Sequence, residues 1–525
     1  MKKMLWLVAM GSLLGSYSCK SGAGEASVCD SDSVAAAVDT VPLPDTVFAS
    51  VDRLDWKVYV TDSTRDGNIT DFSDPYQASA SHLTFRGNLL RNADFGGKVK
   101  GTPSRIVTDW VFETDVDMTP SNMGVWGGGT GWTGQPLYVE WPAAMVAKFK
   151  ATPSARLTAD FAAREIMVAS LCGKVHFINF ETGKASREAL VVDNPVKGTP
   201  SIDPRLNGMA YVGHGVQVHA AVSQNAVDLL KHEVIYRNPG YDARAARRWP
   251  ACDSSPIYVD GFVFWPSENG LIYKYDVADG RVTLHSTLRY TRRGAGGAGV
   301  ESSMCVYKNY GYFGDNHGNI LCINLSTMKP VWHYDNHDDI DGSLVCEVVD
   351  GHPYVYTACE VDRQGLSGQC YMAKLDGLTG EAVWEMQVPC TKHNVNNKHF
   401  DGGMYGTPLL GSGDCSKLLF TTLANDGQNG GGHFYAIERA TGKIVYKTPL
   451  RHYAWSSPVG FLNEKNQLFI VVGDTYGSLY LIEGKSGNII FREKFGDNFE
   501  SSPVVVGNAL VVGSRGTNIF KVHVE

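Results

Sequence analysis

The most informative segment for the fold of this chain is Ala373-Lys-Leu-Asp-Gly-Leu-Thr-Gly-Glu-Ala-Val-Trp384. An apolar strand ends near Asp376, the chain turns at Thr379-Gly380, and a second strand begins that carries Trp384. Glycine suits such a turn because it accepts a positive φ without steric cost. The same strand–turn–strand pattern recurs at residues 177–183, 273–280, 322–327, 436–442 and 481–487. Four of these turns are followed at a fixed spacing by an aromatic residue that can wedge between neighbouring sheets: Trp332, Trp384, Tyr446 and Phe491.

A second repeat opens the strand that precedes each of these hairpins. It is a triplet of two small residues followed by proline, or a similar triplet. Proline at the first residue of a strand costs no ladder hydrogen bond, and small residues allow innermost strands to crowd around a narrow axis. Eight triplets at a period of roughly 40–60 residues predict an all-β, eight-bladed β-propeller of four-stranded antiparallel blades. The triplets are Gly134-Gln-Pro136, Gly198-Thr-Pro200, Ser254-Ser-Pro256, Ser302-Ser-Met304, Gly342-Ser-Leu344, Gly406-Thr-Pro408, Ser456-Ser-Pro458 and Ser501-Ser-Pro503.

The last triplet leaves room for only three strands before Glu525. Residues 105–112, around Trp110, form an apolar strand on the N-terminal side that can complete the last blade. Closing the ring in this way removes an open sheet edge. A parallel β-helix is the alternative architecture, but it requires shorter periods than these.

These repeats resemble those of the quinoprotein alcohol dehydrogenase-like (PQQ-repeat) propellers. Residues 373–384 match the tryptophan-docking repeat of that family at every position, and Phe85-Arg-Gly87…Arg91 resembles the stretch that often precedes its first blade. The resemblance covers roughly residues 83–525 and implies the propeller fold. It implies less about function, because these propellers include enzymes, scaffolds and binding proteins. We expect the non-enzymatic, binding or scaffold kind.

The N-terminus has the features of a lipoprotein signal. Lys2 and Lys3 precede an apolar run at residues 4–14, which is too short to span a bilayer, and small residues lead to Cys19. We predict a signal peptide over residues 1–19, lipidation of Cys19, a flexible tether over 20–50, a pre-propeller segment over 51–82 and the propeller over 83–525. The alternative is a simple secretory signal from which Cys19 is discarded. We expect a lipid-anchored protein of the outer membrane that faces the cell surface.

The remaining cysteines would lie in an oxidising compartment. Cys359 and Cys370 flank one predicted turn, so we predict a disulfide that bridges this hairpin. No cysteine spacing is typical of zinc binding, and we expect no metal site. The net charge of −8 argues against a nucleic-acid partner.

The residue before each triplet should lie at the mouth of the central channel. Its carboxylates could hold a cation, but we favour a role in capping strands or accepting backbone hydrogen bonds. The eight residues are Thr133, Lys197, Asp253, Glu301, Asp341, Tyr405, Trp455 and Glu500.

The inter-blade loops on this face concentrate cations and aromatic rings in an otherwise acidic protein. Arginine forks and aromatic planes together suit a large anion with flat rings, although solvated loop charges are the alternative. The predicted ligand-binding residues are Arg244, Arg247, Arg248, Trp249, Arg292, Arg293, Lys392, His393, Lys398, Tyr405, Tyr453, Trp455 and Trp132.

Three functions follow from these features. The first is capture of an anionic aromatic ligand, a ferric catecholate siderophore, for transfer to a TonB-dependent transporter; glycan capture is a close variant. The second is a scaffold similar to the propeller lipoprotein of outer-membrane protein assembly. The third is a quinone-dependent dehydrogenase, which the resemblance would pair with PQQ, adjacent cysteines, a calcium site and a catalytic aspartate. We regard PQQ as unlikely and expect no cofactor, because the chain has no Cys-Cys pair and no matching acidic constellation.

Overall fold

The computed structural model describes residues 41–525, apart from 132–133, 279, 396–397 and 428–429. Over these residues the chain is an eight-bladed propeller of four-stranded antiparallel blades, as the repeats predict. The predicted signal peptide, Cys19 and its lipidation, most of the tether, Trp132 and Thr133 lie outside the described residues. We number the blades in chain order and give their strands from the axis outward.

Blades 1 to 4 occupy the first half of the ring. Blade 1 comprises Leu137–Glu140, Arg164–Ala169, Lys174–Asn179 and Leu190–Val191. Blade 2 comprises Ser201–Ile202, Met209–Gly213, Ser223–Asp228 and Glu233–Pro239. Blade 3 comprises Ile257–Val259, Phe262–Pro266, Leu271–Ala278 and Arg281–Arg292. Blade 4 comprises Cys305–Tyr307, Tyr310–Gly314, Asn319–Asn324 and Pro330–Asp335.

Blades 5 to 8 complete the ring. Blade 5 comprises Val345–Val349, His352–Ala358, Ser367–Asp376 and Ala382–Thr391. Blade 6 comprises Leu409–Leu410, Leu418–Ala424, Gly432–Glu438 and Ile444–Leu450, with Glu360–Val361 and Gly402–Gly403 added at its upper end. Blade 7 comprises Val459–Leu462, Leu468–Gly473, Ser478–Glu483 and Ile489–Lys494. Blade 8 comprises Val504–Val506, Ala509–Gly513, Asn518–Val524 and, from the N-terminal side, Ile106–Glu113.

Few elements lie outside the blades. A two-stranded hairpin joins His393–Val395 to Lys398–Phe400. The helical segments are the α-helix Ala143–Lys150 and the 3-10 turns Ala49–Arg53, Pro75–Ala78, Pro153–Ala155 and Gly413–Cys415. None of the helices in the described part of the chain is both long and apolar enough to cross a membrane.

The predicted closure of the ring is confirmed. The strand Ile106–Glu113 pairs antiparallel with Asn518–Val524, with Ile106 opposite Val524. Trp110 on this strand donates a hydrogen bond from its indole to the carbonyl of Phe180 in blade 1. Blade 8 is therefore built from both ends of the propeller, and it docks on blade 1 through the same kind of aromatic contact as its neighbours use.

Each triplet ends at the residue before an innermost strand, as the sequence predicts. The structure also explains why the triplets contain serine and threonine. The middle residues of several successive triplets are hydrogen-bonded to one another around the axis. The N–H of Ser255 donates to the hydroxyl of Ser303, and the N–H of Ser303 donates to that of Ser343, each at 2.8 Å. Thr407 donates to Ser457 in the same way at 2.9 Å. These hydroxyls satisfy backbone donors in a buried place where water could not serve them.

The aromatic residues after the turns dock on the next blade, as expected. The Trp332 indole donates to the Gly377 carbonyl at 2.9 Å, and that of Trp384 donates to Arg439 at 3.0 Å. Each ring also lies against the glycine of the next blade's turn, so close that a Cβ on Gly380 would be 2.6 Å from Trp332. The turn glycine is thus required twice, by its positive φ and by the ring above it.

Residues before the ring wrap around blades 3 and 4. The strand Leu54–Val60 pairs with Arg281–Arg292 and becomes the fifth, outermost strand of blade 3. Upstream of it, the N–H of Leu43 donates to Asn309 and that of Phe48 donates to the Val331 carbonyl in blade 4. Ordered contacts with the propeller therefore begin before residue 51.

Residues 82–99, which we call the plug segment, fill the lower part of the axial channel. The segment is hydrogen-bonded to the innermost strand, or the residue flanking it, in all eight blades. Two buried arginines, Arg86 and Arg91, supply many of these bonds, and both side chains are 0% exposed. The plug segment therefore closes the lower part of the channel, and it also lines a separate cavity of about 400 Å³ beside blades 5 to 7.

The predicted Cys359–Cys370 disulfide is not formed in the structure, where both cysteines are buried free thiols. Cys370 lies on the strand Ser367–Asp376, whereas Cys359 lies just after the neighbouring strand His352–Ala358. The Cys359 sulfur also accepts a hydrogen bond from the Tyr371 N–H at 3.2 Å.

Candidate functional site

A cavity of about 420 Å³ lies at the upper mouth of the channel, on the side opposite the plug segment. It is lined by seven carboxylates, four aromatic rings, two cations and one methionine. The carboxylates are Glu268, Glu301, Asp339, Asp341, Glu360, Asp362 and Asp401; the other lining residues are Trp249, Phe400, Tyr405, Trp455, Lys197, Arg247 and Met123.

One group of carboxylates, the balanced trio, is formed by Asp253, Glu268 and Glu301, whose oxygens lie within 4.8 Å of one another. The buried Lys197 forms an ion pair with Asp253 and lies 4.0 Å from Glu268. Burial opposes the charge on Lys197, but Asp253, Glu268 and Glu301 together raise its pKa above the ordinary value. Arg247 lies 4.0 Å from the other Glu268 oxygen. Lys197 and Arg247 thus offset part of the negative charge of this trio, although burial and repulsion from Glu301 and Asp253 still raise the pKa of Glu268 well above its usual range.

A second group, the bare trio, is formed by Asp339, Asp341 and Glu360, again with oxygens within 4.8 Å of one another. Among the described residues, no lysine, arginine or histidine forms an ion pair with it. Burial, followed by repulsion from neighbouring carboxylates, raises the pKa of all three groups well above the usual range. A cation bound here would reduce both the cost of burying these charges and the repulsion between the carboxylates.

The bare trio is held by the backbone of blade 5 and its upper loop. Asp339 and Asp341 lead into the Gly342 triplet, and the N–H of Glu360 donates to the Asp339 carbonyl at 2.8 Å. The loop after Glu360 is fixed by the fully buried Asp338, which accepts hydrogen bonds from the N–H groups of Asp362, Arg363 and Gln364. The carboxylates therefore converge because rigid backbone places them there.

Blades 6 and 7 supply an aromatic wall that faces the bare trio. The rings of Tyr405 and Trp455 stack with centroids 4.6 Å apart and an interplanar angle of 26°. Tyr453 and Phe400 flank Trp455 at centroid distances of 5.7 Å and 6.4 Å. The Tyr405 hydroxyl interacts with the Glu360 carboxyl group and lowers its pKa, so the two walls meet.

The residues predicted for the channel mouth divide into two groups. Five of them line the cavity: Lys197, Glu301, Asp341, Tyr405 and Trp455. Asp253 lies behind them as the partner of Lys197. Glu500 does not line the cavity and instead lies beside Arg515, with 3.4 Å between the charged atoms. Three of the four carboxylates expected to cap strands, Asp253, Glu301 and Asp341, thus lie in two clusters whose geometry could hold a cation.

In the described part of the chain, the predicted basic and aromatic residues lie in several different environments. Arg247 and Trp249 line the cavity, while Tyr453 packs behind it and Arg248 is exposed. Lys392 is tied to two lining carboxylates, at 2.6 Å from Asp362 and 2.8 Å from Asp401. His393 does not line the cavity, and the side chain of Lys398 lies outside the described part. The remaining arginines form ion pairs elsewhere: Arg244 with Asp242, Arg292 with Asp335 and Arg293 with Asp55.

Sequence reasoning missed five of the lining carboxylates. Glu268, Glu360 and Asp362 lie in loops between the second and third strands of blades, and these loops share a face with the inter-blade loops. Asp339 lies two residues before the predicted Asp341, and Asp401 follows the hairpin strand that ends at Phe400. The acidic residues in those loops could have indicated these lining carboxylates from the sequence.

Solved structures share this architecture at low sequence identity. A europium-containing methanol dehydrogenase matches at a TM-score of 0.57 and 12% identity, covering 85% of this chain and 99% of its own. Quinohemoprotein alcohol dehydrogenase from Comamonas testosteroni matches at 0.58 and 13%, covering 86% and 82%. The chain has the fold of the quinoprotein alcohol dehydrogenases. BamB from Moraxella catarrhalis aligns at a TM-score of 0.48 and 16% identity, covering 70% of this chain and 97% of its own. No protein-family model and no curated protein sequence matches the chain.

The fold raises the question of whether this cavity suits an anionic quinone cofactor. Seven carboxylates line the cavity, and both of its lining cations already lie beside carboxylates. A quinone that carries carboxylates would be buried against like charge, which is strongly unfavourable in a site shielded from water. Without a bound cation, the residues present would therefore oppose that cofactor through like charge.

Proposed function

We propose that this protein is a non-catalytic binding propeller that captures a positively charged ligand at the mouth of its channel. The observation that carries the proposal is the bare trio of Asp339, Asp341 and Glu360. Three carboxyl groups are held within 4.8 Å of one another in a largely buried place, and the described residues supply no cation to pair with them. Holding like charges together is costly, so a bound cation would stabilise the folded protein.

The negative charge of the cavity lining also affects the prediction, made from the inter-blade loops, that the ligand is a ferric catecholate. A ferric catecholate is trianionic, and it would need arginines with free charge on this face. Arg244, Arg292 and Arg293 instead form ion pairs with neighbouring carboxylates, and the cavity wall is acidic. The siderophore hypothesis is therefore not supported, and the ligand we propose has the opposite charge.

Isothermal titration calorimetry on the purified propeller tests the proposal. Calcium chloride, lanthanum chloride, simple ammonium salts and a ferric catecholate are titrated separately into the wild type and into an Asp341→Asn/Glu360→Gln double variant. We expect at least one cation to bind the wild type and to bind the double variant at least tenfold more weakly. The exposed Glu493→Gln variant is the matched control and should bind like the wild type.

Two results would contradict the proposal. Binding of the ferric catecholate without binding of any cation would reverse the charge we assign to the ligand. Turnover of an alcohol in a dye-reduction assay with added quinone and calcium would show that the protein is an enzyme. Co-purification with a barrel-assembly protein, without ligand binding, would instead favour the scaffold alternative.

We also propose that the propeller is anchored in the outer membrane through a lipid on Cys19. Metabolic labelling with a fatty acid, followed by fractionation, should place the label on the wild type and lose it in Cys19→Ala. Release of a soluble, unlabelled wild-type protein would overturn the anchor. Transfer of the ligand to a TonB-dependent transporter stays a prediction, which co-purification of the two proteins tests.

A further inference from the structure

The cavity has two walls of different chemistry, and a bare ion would use only one of them. The bare trio lies on the side of blade 5, whereas Tyr405, Trp455 and Phe400 come from the upper ends of blades 6 and 7. About 420 Å³ lies between these residues, which is in the range of small-molecule sites and far more than one ion occupies.

The aromatic wall presents ring faces and edges near the carboxylates. Tyr405 and Trp455 are stacked at 4.6 Å, and Phe400 extends the cluster beyond Trp455. Rings grouped in this way bind flat apolar groups, and their faces also attract cations. Trp249 and Met123 add apolar surface to the same cavity.

Glu360 connects the two walls and has an unused acceptor. Its side chain is 3% exposed, and its Oε1 atom is buried without a hydrogen-bond partner among the described residues. The Tyr405 hydroxyl interacts with the same carboxyl group. An N–H donor bound to Oε1 would therefore lie next to the Tyr405 ring. Buried acceptors of this kind are uncommon in proteins unless a ligand or water completes them.

We infer that the ligand is an organic cation, a protonated amine or guanidinium carried on a flat apolar body. Its charged group donates to Glu360 and is balanced by Asp339 and Asp341, while its body packs on Tyr405 and Trp455. This inference rests on the proposed function and adds the chemical class of the cation.

Three small probes separate the contributions of charge and ring. Phenethylamine has both, 2-phenylethanol has the ring without the charge, and n-butylamine has the charge without the ring. Binding is followed by calorimetry and by quenching of tryptophan fluorescence. We expect phenethylamine to bind at least tenfold more tightly than either of the other two probes.

Two single variants test the two walls, one variant for each wall. Glu360→Gln should remove the preference for phenethylamine over 2-phenylethanol. Trp455→Ala should remove the preference for phenethylamine over n-butylamine; thermal unfolding checks that this variant folds. Tyr453→Leu, which changes a partly exposed ring at the edge of the cluster, is the second variant if Trp455→Ala does not fold. We expect it to reduce the same preference by a smaller factor.

The outcomes separate this inference from the proposed function. Binding of calcium or lanthanum alone, with no preference among the organic probes and no effect of Trp455→Ala, would overturn the organic cation and leave cation capture standing. Absence of binding by every cation would overturn both. Equal binding of phenethylamine and 2-phenylethanol would show that the aromatic wall acts without the carboxylates, which would also overturn the inference.

Discussion

Arg86 donates hydrogen bonds from both terminal nitrogens of its guanidinium to the carbonyl oxygen of Pro458, each at 3.1 Å. One of these nitrogens also reaches the Pro408 carbonyl at 3.2 Å. The plug segment is thereby attached to the innermost strands of two blades that are more than 300 residues away along the chain. Burial lowers the pKa of Arg86 to about 9, so the guanidinium is still charged at neutral pH.

Replacing Arg86 with glutamine should lower the free energy of unfolding by about 3 kcal/mol, because buried carbonyl acceptors lose a charged donor. Denaturation in guanidinium chloride measures the change. The control is Arg105→Gln, which removes an exposed ion pair with Glu525 and should cost less than about 1 kcal/mol. Equal stability of the two variants would show that the plug segment contributes little to the ring.

Gly380 tests the aromatic docking between blades. An alanine there would place its Cβ 2.6 Å from Trp332 and would adopt a φ of +76°. We expect a loss of about 3 kcal/mol, from overpacking and from the left-handed backbone together. Gly507 is a matched control, since its φ is +62° but nothing lies within 4 Å of the added Cβ. Gly507→Ala should cost about 1 kcal/mol. Similar losses for both variants would assign the whole effect to the backbone.

The bare trio should make the ligand-free protein less stable as the pH rises. Its carboxyl groups have pKa values raised by burial and by one another, so the folded state holds protons that the unfolded chain releases near pH 4 to 5. Glu360→Gln removes one of the repelling charges. We therefore expect it to raise the free energy of unfolding at pH 8 by about 1 kcal/mol while weakening cation binding.

Urea denaturation at pH 8, without added cations, measures this gain. The exposed Glu493→Gln should show no comparable increase. A loss of stability in Glu360→Gln at pH 8 would mean that the carboxylate is structurally required rather than poised for a ligand.

We expect Glu500 to make the free energy of unfolding depend on pH in a way that can be assigned to this single residue. Burial raises its pKa to about 7, despite the opposing effects of Arg515 and of a hydrogen bond from Asn498. The stability it contributes is complete below pH 4.5 and is lost as the pH rises through about 7, a total of about 3 kcal/mol. Between pH 5 and pH 8, the free energy of unfolding of Glu500→Gln should decrease by about 3 kcal/mol less than that of the wild type. Identical pH profiles of variant and wild type would contradict the raised pKa.

Much of the fold was determined by local sequence signals. The triplets mark the innermost strands, the turn glycines mark the hairpins, and the aromatic residues after them dock one blade on the next. Each of these signals acts over a short distance and recurs from blade to blade. The closing strand around Trp110 followed from a simple need, since an eighth blade with three strands would leave an open edge. These features depend on neighbours within one blade or the next, which is why the sequence alone predicts them.

The candidate site was predicted only in outline. The position before each triplet correctly placed Lys197, Glu301, Asp341, Tyr405 and Trp455 around one cavity. It could not show that Lys197 forms its ion pair with the balanced trio and not with the bare trio, because such pairing depends on distances of a few ångströms between side chains from different blades.

The propeller, its eight blades and the end of the channel where the cavity lies could be predicted from the sequence. The acidic character of the cavity lining became apparent only in the folded ring. Arg244, Arg292 and Arg293 form ion pairs with nearby carboxylates, and carboxylates that look scattered along the chain converge on the axis. A repeat specifies its own strands, but the potential at the axis is the sum of contributions from all blades, and that sum exists only once the ring has closed.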